Sequence, residues 1–373
     1  MRLLFLLLLF PISVLTSSCS TSDVQVTYIA EEEQIDDTDE DDTDEDTSSI
    51  YFPPNNSTIW ESISPESLGW NTSKIPDLLD YLEQRNSKSF MILHRGKIVM
   101  ENYFDNHTGT TPWYWASAGK TLTTAVTGIA QEENVLSISE PVSTYLGEGW
   151  TSSPAEKEVL ITCKNLLSMN SGLDDSLGNG TLPENLQYLS DAGDRWAYHN
   201  VYLKLQDVVS AATGKTWNAY FNEKLKNPIG MTGSWVMTGD FSIYWSNTRS
   251  MARYGLLIYA DGRWNNIQII SSSFLSEATN TSQDLNLAYG YMWWLNGKSS
   301  FMLPQTQIVF NGNLIPDGPT DMFCALGKND QKIYIVPSQD LVVVRMGNAA
   351  EEENFVLSNF DTVLWQHINA VIN

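Results

Sequence analysis

The stretch Ala116-Ser117-Ala118-Gly119-Lys120-Thr121-Leu122-Thr123-Thr124-Ala125 decides how the rest of the chain is read. A serine hydroxyl is a weak nucleophile near neutral pH and needs a base to take its proton. Three residues apart on a helix, Ser117 and Lys120 share a face and can touch. A lysine amine becomes a base only where burial or a nearby cation favours its neutral form. Leu122, Val126, Ile129 and Ala130 fall on one side of the run from Ser117 to Glu133, which predicts a helix. Ser117 at its N-terminus would lie beside free backbone N–H groups, the donors that hold an oxyanion. Spacing alone carries little weight, because a chain this rich in serine contains one Ser-x-x-Lys about once by chance.

Outward from this stretch, the two ends of the chain read as strands. Ser89 to His94 and Lys97 to Phe104 flank Arg95-Gly96, a hairpin pattern. Lys332 to Val336 and Leu341 to Met346 flank Pro337-Ser338-Gln339-Asp340, and their continuous apolar runs predict burial on both faces. Phe360, Leu364, His367, Ile368 and Val371 recur at helical spacing after an acidic start at Glu351. Between the ends, Leu203 to Thr213 and Met251 to Ala260 read as helices, with Gly214 and Gly262 as stops. The expected fold class is α+β: an antiparallel sheet built from both chain ends and flanked by helices, with an inserted, mostly helical subdomain.

The chain has 373 residues, of which 42% are hydrophobic and 13 are tryptophan, enough for a sizeable core. A formal net charge of -24 argues against nucleic acid as a partner, since phosphates require a basic face. Much of that charge lies in Glu31 to Asp46, which has no basic residue and almost nothing apolar to bury, so it reads as a solvated, extended spacer. That run lacks the Gly and terminal Glu of a calcium loop. Leu3 to Leu15 is apolar and short for a membrane span, which suits a signal peptide over residues 1–18. Small residues before Cys19 resemble a bacterial lipobox, and a lipid at Cys19 would place the protein in the cell envelope, in the periplasm or at the outer membrane; plain secretion is the rival. Residues 19–49 would then be a tether and 50–373 the folded domain, a monomer. Cys163 and Cys324 could pair in an oxidising envelope or remain free and buried. The four histidines show no metal-ligand spacing, so neither a metal nor a cofactor is expected.

The α/β-hydrolase elbow wants Gly two residues before the serine, where Trp115 stands, and no Ser/His/Asp arrangement is evident. The neighbourhood resembles instead the serine β-lactamase and penicillin-binding protein superfamily, in its class C-like branch. The resemblance rests on the stretch at Ser117, on Leu136 to Val142, on Ile161 to Leu173, on Tyr198-His199-Asn200 and on Asn247 to Leu257, in the family's order between about Phe90 and Gly347. It implies Ser117 as nucleophile, Lys120 and Tyr198 as proton carriers, and Asn200 as a bridge between Lys120 and a substrate carbonyl. A phenol beside an ammonium has its pKa lowered. His199 is expected to point away. The family's third motif has a glycine that lets the backbone approach the substrate. Here Lys328-Asn329-Asp330 falls at that place, with Lys328 a candidate for meeting a substrate carboxylate and Asp330 an obstacle to one. The aromatic groups at Trp113 to Trp115 and Tyr289 to Trp294 read as core or as a substrate wall.

The implied activity is hydrolysis of a small-molecule or peptidoglycan-derived ester or amide through an acyl-enzyme. The alternatives are a cell-wall DD-peptidase, transpeptidase or β-lactamase, and a non-catalytic ligand-binding lipoprotein on the same scaffold.

Overall fold

In the computed structural model, which describes residues 49–351 and 359–373, the two ends of the chain build one antiparallel sheet. The strands run in chain order as β1 (Ser87–His94), β2 (Lys97–Tyr103), β3 (Trp113–Tyr114), β4 (Ser234–Thr238), β5 (Phe241–Ser246), β6 (Trp294–Leu295), β7 (Phe323–Gly327), β8 (Gln331–Val336) and β9 (Leu341–Gly347). The main sheet has the order β2-β1-β9-β8-β7-β6. Its centre pairs the first strand with the last, with Phe90 opposite Arg345 and His94 opposite Leu341. The signal peptide, Cys19 and the acidic run lie outside the described residues, as does most of the acidic start of the last helix.

Helix α1 (Ile75–Gln84), which the sequence reading did not single out, buries Leu78, Tyr81 and Leu82, and α2 (Lys120–Glu132), α3 (Lys204–Thr213), α4 (Thr248–Tyr259) and α5 (Asn359–Ile372) carry the apolar faces that the periodicity predicts. Both long apolar strands are buried along their whole length, as continuous hydrophobic runs require. Alternate side chains of β8 explain why. Ile333 packs towards α4, where Gly255 lets the helix come close: a Cβ there would lie 2.5 Å from Val342 Cγ1. Lys332 and Tyr334 point the other way, to Asp361 of α5. Tyr81 of α1 stacks on Phe360 of α5 with ring centroids 5.7 Å apart.

The insertion holds more strand than expected. It contains, besides α2 and α3, a small antiparallel sheet of order β3-β5-β4 and two short antiparallel pairs, Arg263–Trp264 with Ile267–Gln268 and Ser300–Met302 with Val309–Asn311. The strands of the small sheet are short and half exposed, so they lack the apolar run or clean alternation that marks a strand in sequence. Cys163 and Cys324 are free and buried, and burial pushes the Cys163 thiol up to about 12. Tyr289, Tyr291, Trp293 and Trp294 belong to the core.

The face of the sheet under α5 holds a buried charge cluster. Lys332 Nζ lies 2.8 Å from Asp361 Oδ2 and 3.2 Å from Asp330 Oδ1, and Tyr334 donates to Asp361 Oδ1 at 2.5 Å. Arg345, fully buried, donates to Ser87 Oγ and to the carbonyls of Arg85, Asn329, Asp330 and Asn348. Removing one member of such a pair leaves an uncompensated charge in the core. Asp361→Ala is expected to lower stability by about 3–5 kcal/mol in urea titration, and the combined neutral set Asp330→Asn, Lys332→Met and Asp361→Leu to recover most of that loss. A change within experimental error in Asp361→Ala would contradict this.

Candidate active site

Trp115 fastens the strand that precedes Ser117. Its backbone N–H donates to the Tyr244 carbonyl at 2.9 Å, and its indole Nε1–H donates to Ser246 Oγ at 2.7 Å. Ala116 then adopts φ of 47°, in the left-handed region that side chains disfavour. The chain bends so abruptly there that one tight 3₁₀ turn, Ala116–Gly119, intervenes before α2 starts at Lys120. Ser117 therefore stands in a turn ahead of the helix and not in its first α turn.

The end of β7 closes on this turn from the sheet. A Cβ on Gly327 would lie 2.5 Å from the Trp115 carbonyl oxygen and 3.0 Å from Ala118 N, so only glycine permits the approach. Gly327 thus makes the sheet's close approach to the turn that carries Ser117. The expectation that Asp330 stands as an obstacle at the site is corrected by its direction. Asp330 turns into the core, where it accepts from Ala350 N at 2.9 Å and pairs with Lys332, so it adds no charge to the site. Lys332 beside it is the main opposing charge that keeps its carboxyl below the ordinary range in spite of burial. The signal that could have located Gly327 is its position directly after the apolar run Phe323 to Leu326.

Ser117, Lys120, Tyr198, Asn200 and Lys328 line one cavity of about 280 Å³. Lys120 Nζ donates to Ser117 Oγ at 2.8 Å. Burial lowers the pKa of this amine from 10.5 to about 7. Two rings flank Nζ, Tyr198 with its centroid at 4.7 Å and Tyr202 at 4.6 Å. Aromatic faces attract a cation, so they partly offset the burial that disfavours it. Tyr202 carried no motif and was not anticipated as a site residue.

The Tyr198 hydroxyl is hydrogen-bonded to Ser117, but burial raises its pKa above the ordinary value. The expectation of a lowered phenol pKa is thus reversed, because a neutral amine gives no ammonium field to oppose desolvation. Trp294 stacks on its ring at 5.8 Å, so the aromatic group at 289–294 is the wall behind Tyr198. Asn200 does not bridge to Lys120. Its Nδ2 donates to the carbonyls of Asn179 at 2.8 Å and Asp240 at 3.0 Å, and its buried Oδ1 has no partner. His199, expected to point away, lines the same cavity, and burial lowers its pKa. Asn179, Tyr198, His199 and Gln305 also line a neighbouring cavity of about 420 Å³ that holds the Arg195–Asp175 ion pair, 2.8 Å apart.

The arrangement has the parts of a serine nucleophile: a hydroxyl in contact with an amine near neutrality, a protonated phenol, a spare amide oxygen and a cation at the wall. Between pH 7 and 10.5 the unfolded chain holds a proton on Lys120 that the folded chain lacks, so stability rises with pH across that window. Below it the native state carries a buried ammonium. Lys120→Met is therefore expected to be more stable than wild type near pH 6 by about 3–5 kcal/mol, with the gain fading towards pH 10. Urea titrations at the two pH values check it, and a gain that does not depend on pH would contradict it.

Comparison with known proteins places the chain in a family. Residues 77–364 match the family model described as Beta-lactamase. A Bacillus subtilis (strain 168) protein, "Putative penicillin-binding protein PbpX", is 27% identical over 164 residues, which is 39% of this chain and 40% of that protein's length. The crystal structure of a "putative beta-lactamase" from Bacteroides dorei DSM 17855 superposes with a TM-score of 0.65 at 16% identity, covering 82% of this chain and 99% of that one. A class C beta-lactamase mutant superposes with a TM-score of 0.59 at 16% identity, covering 82% and 98%.

Proposed function

Since the chain belongs to the Beta-lactamase family, we propose that it is an envelope-anchored serine hydrolase that cleaves an ester or amide bond through an acyl-enzyme on Ser117. The contact between Lys120 Nζ and Ser117 Oγ carries this reading, because it joins a nucleophile to an amine whose pKa lies near neutrality. The neutral amine takes the Ser117 proton as Oγ attacks the carbonyl carbon. Tyr198, held protonated, gives its proton to the departing oxygen or nitrogen and is reprotonated by the Lys120 ammonium. Water then attacks the acyl ester, its proton returns through the same groups, and Ser117 is regenerated. Ser117, Lys120, Tyr198 and Asn200 share one cavity, which favours an enzyme over a binding protein on the same scaffold.

A second reading, a DD-peptidase or β-lactamase, draws support from Lys328. With Asp330 turned into the core, this cation can meet a substrate carboxylate without a neighbouring negative charge. The experiment labels wild type and Ser117→Ala with a fluorophosphonate and with a fluorescent penicillin. Labelling by the fluorophosphonate alone favours the ester or amide hydrolase, and labelling by both favours the second reading. Equal labelling of Ser117→Ala removes Ser117 as nucleophile. Turnover is expected to rise with pH along a limb with its midpoint at about 7, as the Lys120 amine loses its proton.

The anchor is proposed from the sequence around Cys19. Cys19→Ser is expected to move the protein from the membrane fraction to the soluble one. Retention in the membrane fraction would count against lipidation.

A further inference from the structure

The cavity of about 420 Å³ beside the Ser117 site has no part in the reaction derived above. Asp175, Ser176 and Arg195 line it, together with the four residues that it shares with the Ser117 cavity, Asn179, Tyr198, His199 and Gln305. The two cavities therefore adjoin, and one molecule can reach from one into the other. The walls are tied in place. Asp174 Oδ1 accepts from Ser176 N at 2.9 Å, Asn200 Nδ2 donates to the Asn179 carbonyl at 2.8 Å, and Ala197 N donates to the Met169 carbonyl at 2.7 Å.

Two features of this cavity call for a ligand. His199 is 4% exposed, and the Gly178 carbonyl can serve only one of its two ring nitrogens, so at least one buried nitrogen has no partner. Arg195 Nη1 lies 2.8 Å from Asp175 Oδ1, but this buried nitrogen is not aligned as a hydrogen-bond donor to any group among the described residues. The two charges balance while their hydrogen-bonding capacity stays open: a guanidinium has five N–H donors and a carboxylate two acceptor oxygens. A ligand with one charge would be drawn to one member of the pair and repelled by the other. A neutral ligand would take both out of water with no charge to offer either. A group with an ammonium and a carboxylate on one carbon gives each member its opposite.

We propose that this second cavity is a subsite for the zwitterionic head of an α-amino acid, with its carboxylate on Arg195 and its ammonium on Asp175 and the open nitrogen of His199, so that the enzyme acts on esters or amides that end in such a head. The proposal rests on the reading of Ser117 as nucleophile and names the substrate class of that site. Burial keeps the His199 pKa below its ordinary value in spite of Asp175, so the imidazole is neutral and its bare nitrogen accepts. Hydrogen bonds between ionised partners are the strong ones, so the preference is large enough to read.

The test measures kcat/KM by proton release for two sets of esters, on the full chain and on Asp175→Asn and Arg195→Gln. One set varies the end of the acyl chain: the methyl esters of heptanoate, 7-aminoheptanoate, heptanedioate and, at its distal carboxyl, 2-aminoheptanedioate. The other varies the end of the alcohol: the acetates of hexanol, 6-aminohexanol, 6-hydroxyhexanoate and 6-hydroxynorleucine. Rates are taken relative to the neutral ester of the same set, so a general loss of activity in a variant cancels. In one of the sets, wild type is expected to favour the zwitterionic ester at least tenfold and to gain less than threefold from either charge alone. Asp175→Asn is expected to cut the zwitterion preference at least fivefold and to raise the relative rate of the carboxylate ester. Arg195→Gln is expected to cut it as much and to raise that of the amine ester. Equal rates within both sets, in protein whose Ser117 still reacts with a fluorophosphonate, overturn the subsite alone. Failure of Ser117 to react, with no turnover of any ester, overturns the nucleophile reading and the subsite with it. A zwitterion preference that both variants keep overturns the assignment to this pair, and a preference for the carboxylate ester alone that survives Arg195→Gln passes recognition to Lys328 and overturns it too.

Discussion

The close approach between Gly327 and the turn at Trp115 to Ala118 is the contact on which the site depends. It is one of the places where the sheet built from the chain ends meets the inserted region, here backbone against backbone. Every other part of the site is referred to it. Trp115 is held by β5, Ser117 follows from the bend at Ala116, and Lys328 reaches the cavity because it is the next residue after the glycine. A side chain at 327 would have to push the strand and the turn apart by about an ångström, and Ser117 would shift relative to Lys120 and Lys328.

Behind that contact stands a division of labour between two buried lysines. Lys332 is given two carboxylates and stays charged, with its pKa raised by Asp361 and Asp330 against the burial that would lower it. Lys120 is given a hydroxyl and two aromatic faces, and burial brings its pKa down. The first arrangement ties α5 to the sheet. The second leaves an amine with its pKa lowered to about 7 against the Ser117 hydroxyl, at the cost of stability.

The large elements were legible because their apolar spacing is strong. β1, β2, β8, β9 and α5 follow from runs and periods that only a buried strand or an amphipathic helix satisfies, and the ordered motifs around Ser117 and Tyr198 pointed to the same cavity that the structure forms. What was not legible depended on direction and not on identity. Asp330 is an acidic residue next to the site in sequence, but its side chain faces the core. Asn200 has the amide that the motif calls for, but its N–H groups are taken by two loop carbonyls. The pKa direction of Tyr198 depends on Lys120 being neutral, which only its burial reveals. The small sheet of β3, β4 and β5 escaped because half-exposed short strands leave no period to read.

The pairing of β1 with β9 has a consequence for the order of events as the polypeptide is made. β1 lies near the start of the folded part, yet its partner on one side is not synthesised until residue 341, and Asp361, which neutralises Lys332, comes twenty residues later. Until nearly the whole chain is present, the centre of the sheet is an open edge, and Gly327 has no settled strand from which to press on the turn at Ser117. Such long-range pairing delays folding until late. A site built this way is completed only once the last strand has paired with the first.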